Sequence, residues 1–431
     1  MLPMRDGLPS LILLSGLILS PMLQADEWTR FRGPNGNAQS DSTQTPVKWS
    51  DTEKVVWKTP LPGPGTSLPI VTGGKIFLTS YTGFGVSAEN PGDPAKLERV
   101  LVCLDEGSGK ILWQKGIRGV ANEDRYQGFL ATHGYASSTP VTDGERVYVL
   151  FGKAGVVAFD LEGRQLWHKS VGTGSARMGW GSACSPIIYK NLVIVNAAAE
   201  SNALYAFDGV TGQEVWKKPA DSLDGCWGTP IIVERAGAPA ELVLAVGGEI
   251  WGFNPETGKF LWYCETPGGD AICSSLVSRD EIVFMVTGGP GGGGAAAVRV
   301  GGTDNVTKTH RLWTTQRVTS YITSPVLVGD HLYGVNDNGL AYCLNSKTGE
   351  TVYQQRLPER GQLYASLTAA GDKLYAVTRD QGTFVLAAKP EFAVLAHNKL
   401  SDAGICNGSP TVSKNRLLLR TDKFLYSLGD K

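Results

Sequence analysis

From Ile322 to Tyr353 the chain reads I-T-S-P-V-L-V-G-D-H-L-Y-G-V-N-D-N-G-L-A-Y-C-L-N-S-K-T-G-E-T-V-Y. Three short apolar runs are parted by Gly329-Asp330, by Asp337-Asn338-Gly339 and by Asn345 to Gly349, and a fourth opens at Glu350. Runs this short, alternating with turn residues, predict period-two strands joined by tight turns rather than a helix. The stretch is a four-stranded antiparallel meander. Alone it would leave one apolar face in water, so it needs copies of itself to pack against.

Copies are present along the chain. Each opens with a Ser/Thr-Pro or similar step that starts a first strand: Leu68-Pro69, Thr139-Pro140, Ser185-Pro186, Thr229-Pro230, Ser274-Ser275, Ser324-Pro325, Ser366-Leu367 and Ser409-Pro410. Measured between the second residues, the spacing is 42 to 50 residues, except for a first interval of 71 that holds extra loops at 81–97 and 116–134. Copies close on a turn and an aromatic, at Asp105 to Trp113, Asp160 to Trp167, Asp208 to Trp216, Asn254 to Trp262 and Asn345 to Tyr353. In Asp208-Gly209-Val210-Thr211-Gly212-Gln213-Glu214-Val215-Trp216, the Asp accepts turn amides, Gly212 supplies a positive φ, and Trp216 fills the wedge between neighbours. The fifth copy keeps only Leu312-Trp313, the seventh is degenerate around Ala388 to Leu395, and the eighth stops at Ser427-Leu428 without a last strand.

Trp49 to Trp57 reads as that missing strand. The expected fold is therefore all-β: an eight-bladed β-propeller over 49–431, closed by an N-terminal strand that removes an open sheet edge. Residues 26–48 form an extended polar arm, expected to lie across the propeller's surface. Residues 1–25 read as a signal peptide, with Arg5, an apolar stretch from Leu8 to Leu19 and Ala25 before the cut. That apolar stretch is too short to span a bilayer, so an exported chain, periplasmic or extracellular and without an integral membrane segment after cleavage, is expected.

Charge changes the picture by exclusion. Lys+Arg 40 against Asp+Glu 41 gives no field to draw in nucleic acid, which is not expected as a partner. Gly 54 and Pro 23 suit many short strands and turns. The seven cysteines include no C-x-x-C and no adjacent pair; Cys103 and Cys343 occupy small buried slots, and a disulfide among Cys184, Cys226, Cys273 and Cys406 is left open. The five histidines show no paired spacing, and neither H-E-x-x-H nor G-x-S-x-G occurs, so no metal site or serine hydrolase is expected. Gly288 to Gly294 lacks the following Lys-Ser/Thr of a phosphate loop and reads as a strand connection.

The repeat A/C-x-D/N-x-x-T-G-x-x-x-W resembles the pyrroloquinoline-quinone-type propeller repeat over about residues 49 to 428. That repeat occurs in quinoprotein alcohol dehydrogenases and in the propeller subunit of the outer-membrane β-barrel assembly machinery. The F-R-G-P-N-G at 31–36 resembles the start of many exported bacterial proteins built from it. Two features of the relatives are missing: the adjacent-cysteine disulfide of the dehydrogenases, and the lipid-attachment cysteine of the assembly subunit.

In a propeller, the loops before the first strands gather at one mouth of the central channel. Here they carry His133, Tyr135, Arg177, Trp180, Asp224, Trp227, Asp270, Tyr321, Tyr364 and Asn407. This set either holds a ligand or plugs the channel and satisfies itself. Trp180 and Trp227 sit at matching places in adjacent repeats, with flanking glycines expected to leave their faces open. The expected function is a non-catalytic platform for a protein partner or an extracellular ligand, with no cofactor. The alternative implied by the resemblance is a quinone-dependent dehydrogenase of alcohols or sugars using pyrroloquinoline quinone with Ca²⁺. In it the quinone would stack on Trp180 or Trp227, Arg177 would meet its carboxylates, and Asp224 or Asp270 would serve as general base.

Overall fold

The computed structural model describes residues 27–430, and the expected signal peptide lies outside them. Eight antiparallel sheets follow one another along the chain: blades 1 to 7 over 70–118, 141–169, 187–219, 231–265, 277–315, 326–356 and 368–398, and blade 8 over 411–428. Blade 8 takes its outermost strand from the front of the chain. Val55–Pro60 pairs antiparallel with Phe424–Leu428, with Trp57 opposite Ser427 and Thr59 opposite Leu425. The closing strand thus begins later than the alternation from Trp49 suggested. Trp49 instead packs on Tyr375 of blade 7, ring centroids 6.3 Å apart, where no closing tryptophan exists.

The closing aromatics join the blades. The indole N–H of Trp57 donates to Glu106 O at 3.1 Å, Trp113 to Leu161 O at 3.2 Å, Trp167 to Gly209 O at 2.8 Å, Trp216 to Pro255 O at 3.0 Å and Trp313 to Ser346 O at 2.9 Å. Each carbonyl lies in the third-to-fourth-strand turn of the next blade. The turn glycine is required there: Gly212 has φ +69, and a Cβ on it would stand 2.7 Å from the Trp167 ring. Blade 5 lacks the turn, and Trp262 donates instead to the buried Glu241 carboxylate at 2.6 Å. Arg235 and the Gly301 amide share that carboxylate.

Every outer strand also carries a register shift at the residue before its closing position, skipping Val56, Leu112, Leu166, Val215, Leu261, Leu312, Val352 and Leu395. Such bulges turn the closing side chain inward and break up the outer edge.

The arm crosses the propeller along the inner strands and is partly sunk between them. Trp28 exchanges backbone hydrogen bonds with Val71, Thr29 O accepts from Thr142 N, the Asn37 amide pairs with Ser278 N and O, and Gln39–Ser40 adds a parallel strand to blade 7. Arg32, 1% exposed, donates to Pro325 O of blade 6 and to Gly36 O. Burial pushes its pKa down to about 9. The arm's polar groups match the inner-strand edges of the blades, and this carries a polar segment inward.

Candidate functional site: the channel mouth

Sequence sets the channel wall directly. The hydroxyl at each repeat opening accepts the backbone N–H of the preceding blade: Leu68 N to Thr139 Oγ1 at 2.9 Å, Thr139 N to Ser185 Oγ at 3.0 Å, Ser185 N to Thr229 Oγ1 at 3.1 Å, and Thr229 N to Ser275 Oγ at 2.9 Å. The belt continues from Ser275 N to Ser324 Oγ, Ser324 N to Ser366 Oγ and Ser366 N to Ser409 Oγ. Blade 1 offers Leu68 in that slot, so the belt breaks between blades 8 and 1. Arg420 spans the break, donating to Ser67 O at 3.1 Å, Ser67 Oγ at 2.8 Å and Ser80 Oγ at 3.4 Å. It is fully buried, and its pKa is pushed down by burial to about 9.

Inside the belt lies a cavity of about 130 Å³, floored by Phe31 of the arm and roofed by Phe129, Trp180, Trp227 and Tyr364. Phe129 is the centre of the roof, with ring centroids 5.0 Å from Trp180, 5.5 Å from Tyr364 and 5.6 Å from His133. It comes from the 116–134 insertion, ahead of the short helix Leu130–His133. Two buried ion pairs pin that insertion: Arg99 to Glu123 at 2.7 and 2.8 Å, and Lys153 to Asp124 at 2.9 Å. Burial pushes the Glu123 carboxyl up, but the Arg99 hydrogen bonds and charge prevail and hold it below the ordinary value.

The expected mouth residues divide. His133, Trp180, Trp227, Tyr364 and Asn407 line the cavity. His133 Nε2 lies 2.8 Å from Trp180 O, which can only accept, so this nitrogen carries the proton and Nδ1 accepts from Ser137 Oγ at 2.6 Å. Burial pushes its pKa down to about 4. Asn407 Nδ2 donates to Thr132 O at 2.9 Å, while its buried Oδ1 has no partner. Tyr321 stands at the rim, 6.2 Å from Trp180.

Three expectations are corrected. Tyr135 is not at the mouth: it packs with Tyr81, Phe84 and Tyr126 under the insertion, its hydroxyl on Asp124 O at 2.7 Å. The faces of Trp180 and Trp227 are not open, because the rings lie against each other at 4.9 Å and 32°. The Trp227 indole N–H is spent on Gly181 O at 2.8 Å. Arg177, Asp224 and Asp270 lie outside the cavity and face one another, Arg177 standing 3.6 Å from each carboxylate. Phe31, Phe129, Cys273 and Arg379, whose guanidinium covers the Tyr364 ring at 4.4 Å, escaped the sequence reading. Phe129 had a signal: with Leu130 it is an apolar pair in the polar, glycine-flanked part of the insertion just before His133.

These residues do not fit a bound pyrroloquinoline quinone. A drug-sized ligand takes about 300 Å³ or more; the cavity has about 130 Å³. The two indoles leave no slot between them, and both candidate bases are paired outside. Among the described residues every cysteine is a free thiol, and no group of three or more His, Cys, Asp or Glu is arranged to hold a metal.

A family model described as outer membrane protein assembly factor BamB matches residues 95–225 and 299–421, more than half of the chain. The chain belongs to this family. The unmatched 226–298 hold blade 4 and most of blade 5, where the Glu241 carboxylate replaces the usual turn. None of the curated proteins compared matches the chain. Among solved structures, BamB from Moraxella catarrhalis superposes with a TM-score of 0.59 at 15% identity, covering 88% of this chain and 97% of that one. A europium-containing methanol dehydrogenase gives 0.62 at 12% identity, covering 95% and 99%. The quinohemoprotein alcohol dehydrogenase of Comamonas testosteroni gives 0.59 at 11%, covering 93% and 80%. At these identities the likeness is one of fold, and this BamB-family propeller shares its architecture with an assembly factor and with dehydrogenases alike. No helix among its described residues is long and apolar enough to cross a membrane.

Proposed function

We propose that this BamB-family propeller is an exported, non-catalytic platform that presents its faces and loops to a protein partner. One observation carries the reading: apart from Asn407 Oδ1, the candidate base, acid and stacking groups of the mouth spend hydrogen bonds and charges on protein neighbours. Arg177 sits between Asp224 and Asp270, His133 between Ser137 and Trp180 O, and Trp227 on Gly181 O. A catalytic mouth keeps a base and a binding surface free for substrate. A platform needs only rigidity, which radial packing and the hydroxyl belt provide. The leader-like residues 1–25 and the family's description as an outer membrane protein assembly factor support export.

The test is to add pyrroloquinoline quinone and Ca²⁺ to the purified protein, separate free quinone by gel filtration, and assay dye reduction with alcohols and aldoses. No retained quinone absorbance and no reduction is the expected result. Stoichiometric quinone with dye reduction contradicts the reading.

A further inference from the structure

The face opposite the mouth carries a basin of about 1030 Å³, bounded by the arm and by the inner strands of blades 2 to 6. The repeat puts one residue per inner strand in the same register, opposite a matching residue of the second strand: Val71 opposite Ile76, Thr142 opposite Val147, Ile188 opposite Val193, Ile232 opposite Leu242 and Ser278 opposite Val283. The backbone N–H and C=O of that residue point away from the blade, toward the axis. At Val71 the arm backbone at Trp28 takes both groups, at Thr142 the Thr29 carbonyl takes the N–H, and at Ser278 the planar amide of Asn37 takes both, at 2.9 and 2.8 Å. At Ala369 of blade 7 the N–H goes to Ala38 O.

Blades 3 and 4 differ from these, and from blades 6 and 8, where among the described residues the matching Leu327 and Val412 also bond no protein group at the axis but are buried. Among the described residues no protein group bonds the axial N–H or C=O of Ile188 or Ile232, and both residues line the basin with half-buried side chains. Tyr189 and Val233 continue the apolar wall beside them. An inner-strand edge that faces open space is a template for another strand. The arm shows what such an edge accepts in this molecule: extended backbone, or an amide that imitates it. Of the cations lining the basin, Lys190 is paired with Glu256 and Arg279 with Asp330, while Arg30 donates to the arm carbonyls of Gly33 and Pro34; Glu234 and Asp280 add carboxylates at the edge, and beside Ile188 and Ile232 the basin offers main-chain pairing and apolar contact.

We propose that this basin binds an extended peptide segment of a partner protein by strand addition to the inner edges of blades 3 and 4, its side chains resting on Ile188, Ile232 and Tyr189. The proposal extends the platform reading by naming the class of partner. It concerns the face away from the mouth, so quinone binding at the mouth would sink that reading without deciding this one.

The probe is a Thr-Val-Thr-Val-Thr peptide, acetylated and amidated, beside a copy N-methylated at alternate residues to remove its donors. Calorimetric titration and amide exchange of the full chain are read together. The unmodified peptide should bind and slow exchange at 187–189 and 231–235, and the methylated copy should not. Ile232→Pro removes one axial donor, and proline is tolerated where a strand's N–H faces outward. Binding should fall roughly five- to tenfold for the hydrogen bond lost. Ile232→Ala, which keeps the backbone, controls for folding and should retain backbone-dependent binding. No binding, equal binding of both peptides, or protection changes at 70–72 and 368–370 that signal displacement of the arm would each overturn the proposal.

Discussion

At the scale of single residues, the molecule is held by side chains that each do one thing at a seam. Trp216 closes blade 3 onto blade 4 and is 8% exposed; Trp227 closes the mouth and is 7% exposed. The sequence set the two apart, with Trp216 filling a wedge between blades and Trp227 expected to keep an open face for a ligand. The structure gives both a buried ring and a spent indole N–H. Trp216→Ala and Trp227→Ala should therefore each lower unfolding free energy by about 3–5 kcal/mol, as large-to-small core changes do. Chemical denaturation measures this, and a loss confined to Trp216→Ala would restore a ligand role for Trp227. The turn motif made Trp216 readable. The contact between Trp180 and Trp227 was not readable, because matching positions in adjacent repeats say nothing of whether two rings lean together.

At the scale of elements, the repeats were legible and the segments outside them were not. Period-two runs, Ser/Thr-Pro openings and closing turns located each blade, because every copy faces the same packing problem. The opening hydroxyls were read only as strand starts; that they link one blade to the next depends on a neighbour the local sequence does not contain. The arm looked like surface chain because its partners are backbone edges, which leave no trace in side-chain pattern. The 116–134 insertion was read as an extra loop that brings His133 to the mouth; that it also brings Phe129 over the channel was not legible. This lid should loosen in acid. His133 titrates near 4 in the folded lid against 6.5 when free, so the opened state takes up the proton first as pH falls from 6.5. Stability supplied by the neutral imidazole is complete above pH 6.5 and drains away toward pH 4, an upper bound of ~3.5 kcal/mol at about 1.4 kcal/mol per unit. Glu123, held below its ordinary value, acts in the same direction at lower pH still: its contribution is lost as pH falls through its folded pKa. Proteolysis within 119–134 should accelerate as pH falls from 7 to 4, and His133→Gln should flatten the dependence above pH 4. A rate independent of pH would refute this account of the lid.

At the scale of the whole molecule, the seam between blades 8 and 1 is where both ends of the ring meet. The hydroxyl belt stops at Leu68, and other groups take over. Arg420 reaches Ser67 and Ser80, Thr411 Oγ1 donates to Pro69 O at 2.7 Å, and Ser413 and Lys414 hold Glu106 at 2.6 and 3.0 Å. The Trp57 indole crosses the same seam to Glu106 O. The missing last strand of the eighth repeat announced this closure in the sequence, whereas the buried arginine, one charge at the end of Leu417-Leu418-Leu419, did not. A ring latched this way opens only when 55–60 leaves Phe424–Leu428, so the two strands must share one stability. Native-state hydrogen–deuterium exchange of the intact chain compares them directly. The latched ring predicts that amides of 55–60 and 424–428 exchange at the same slow rate and respond together to denaturant. Rapid exchange at 55–60 beside continued protection at 424–428 would contradict a propeller closed by its own N-terminal strand.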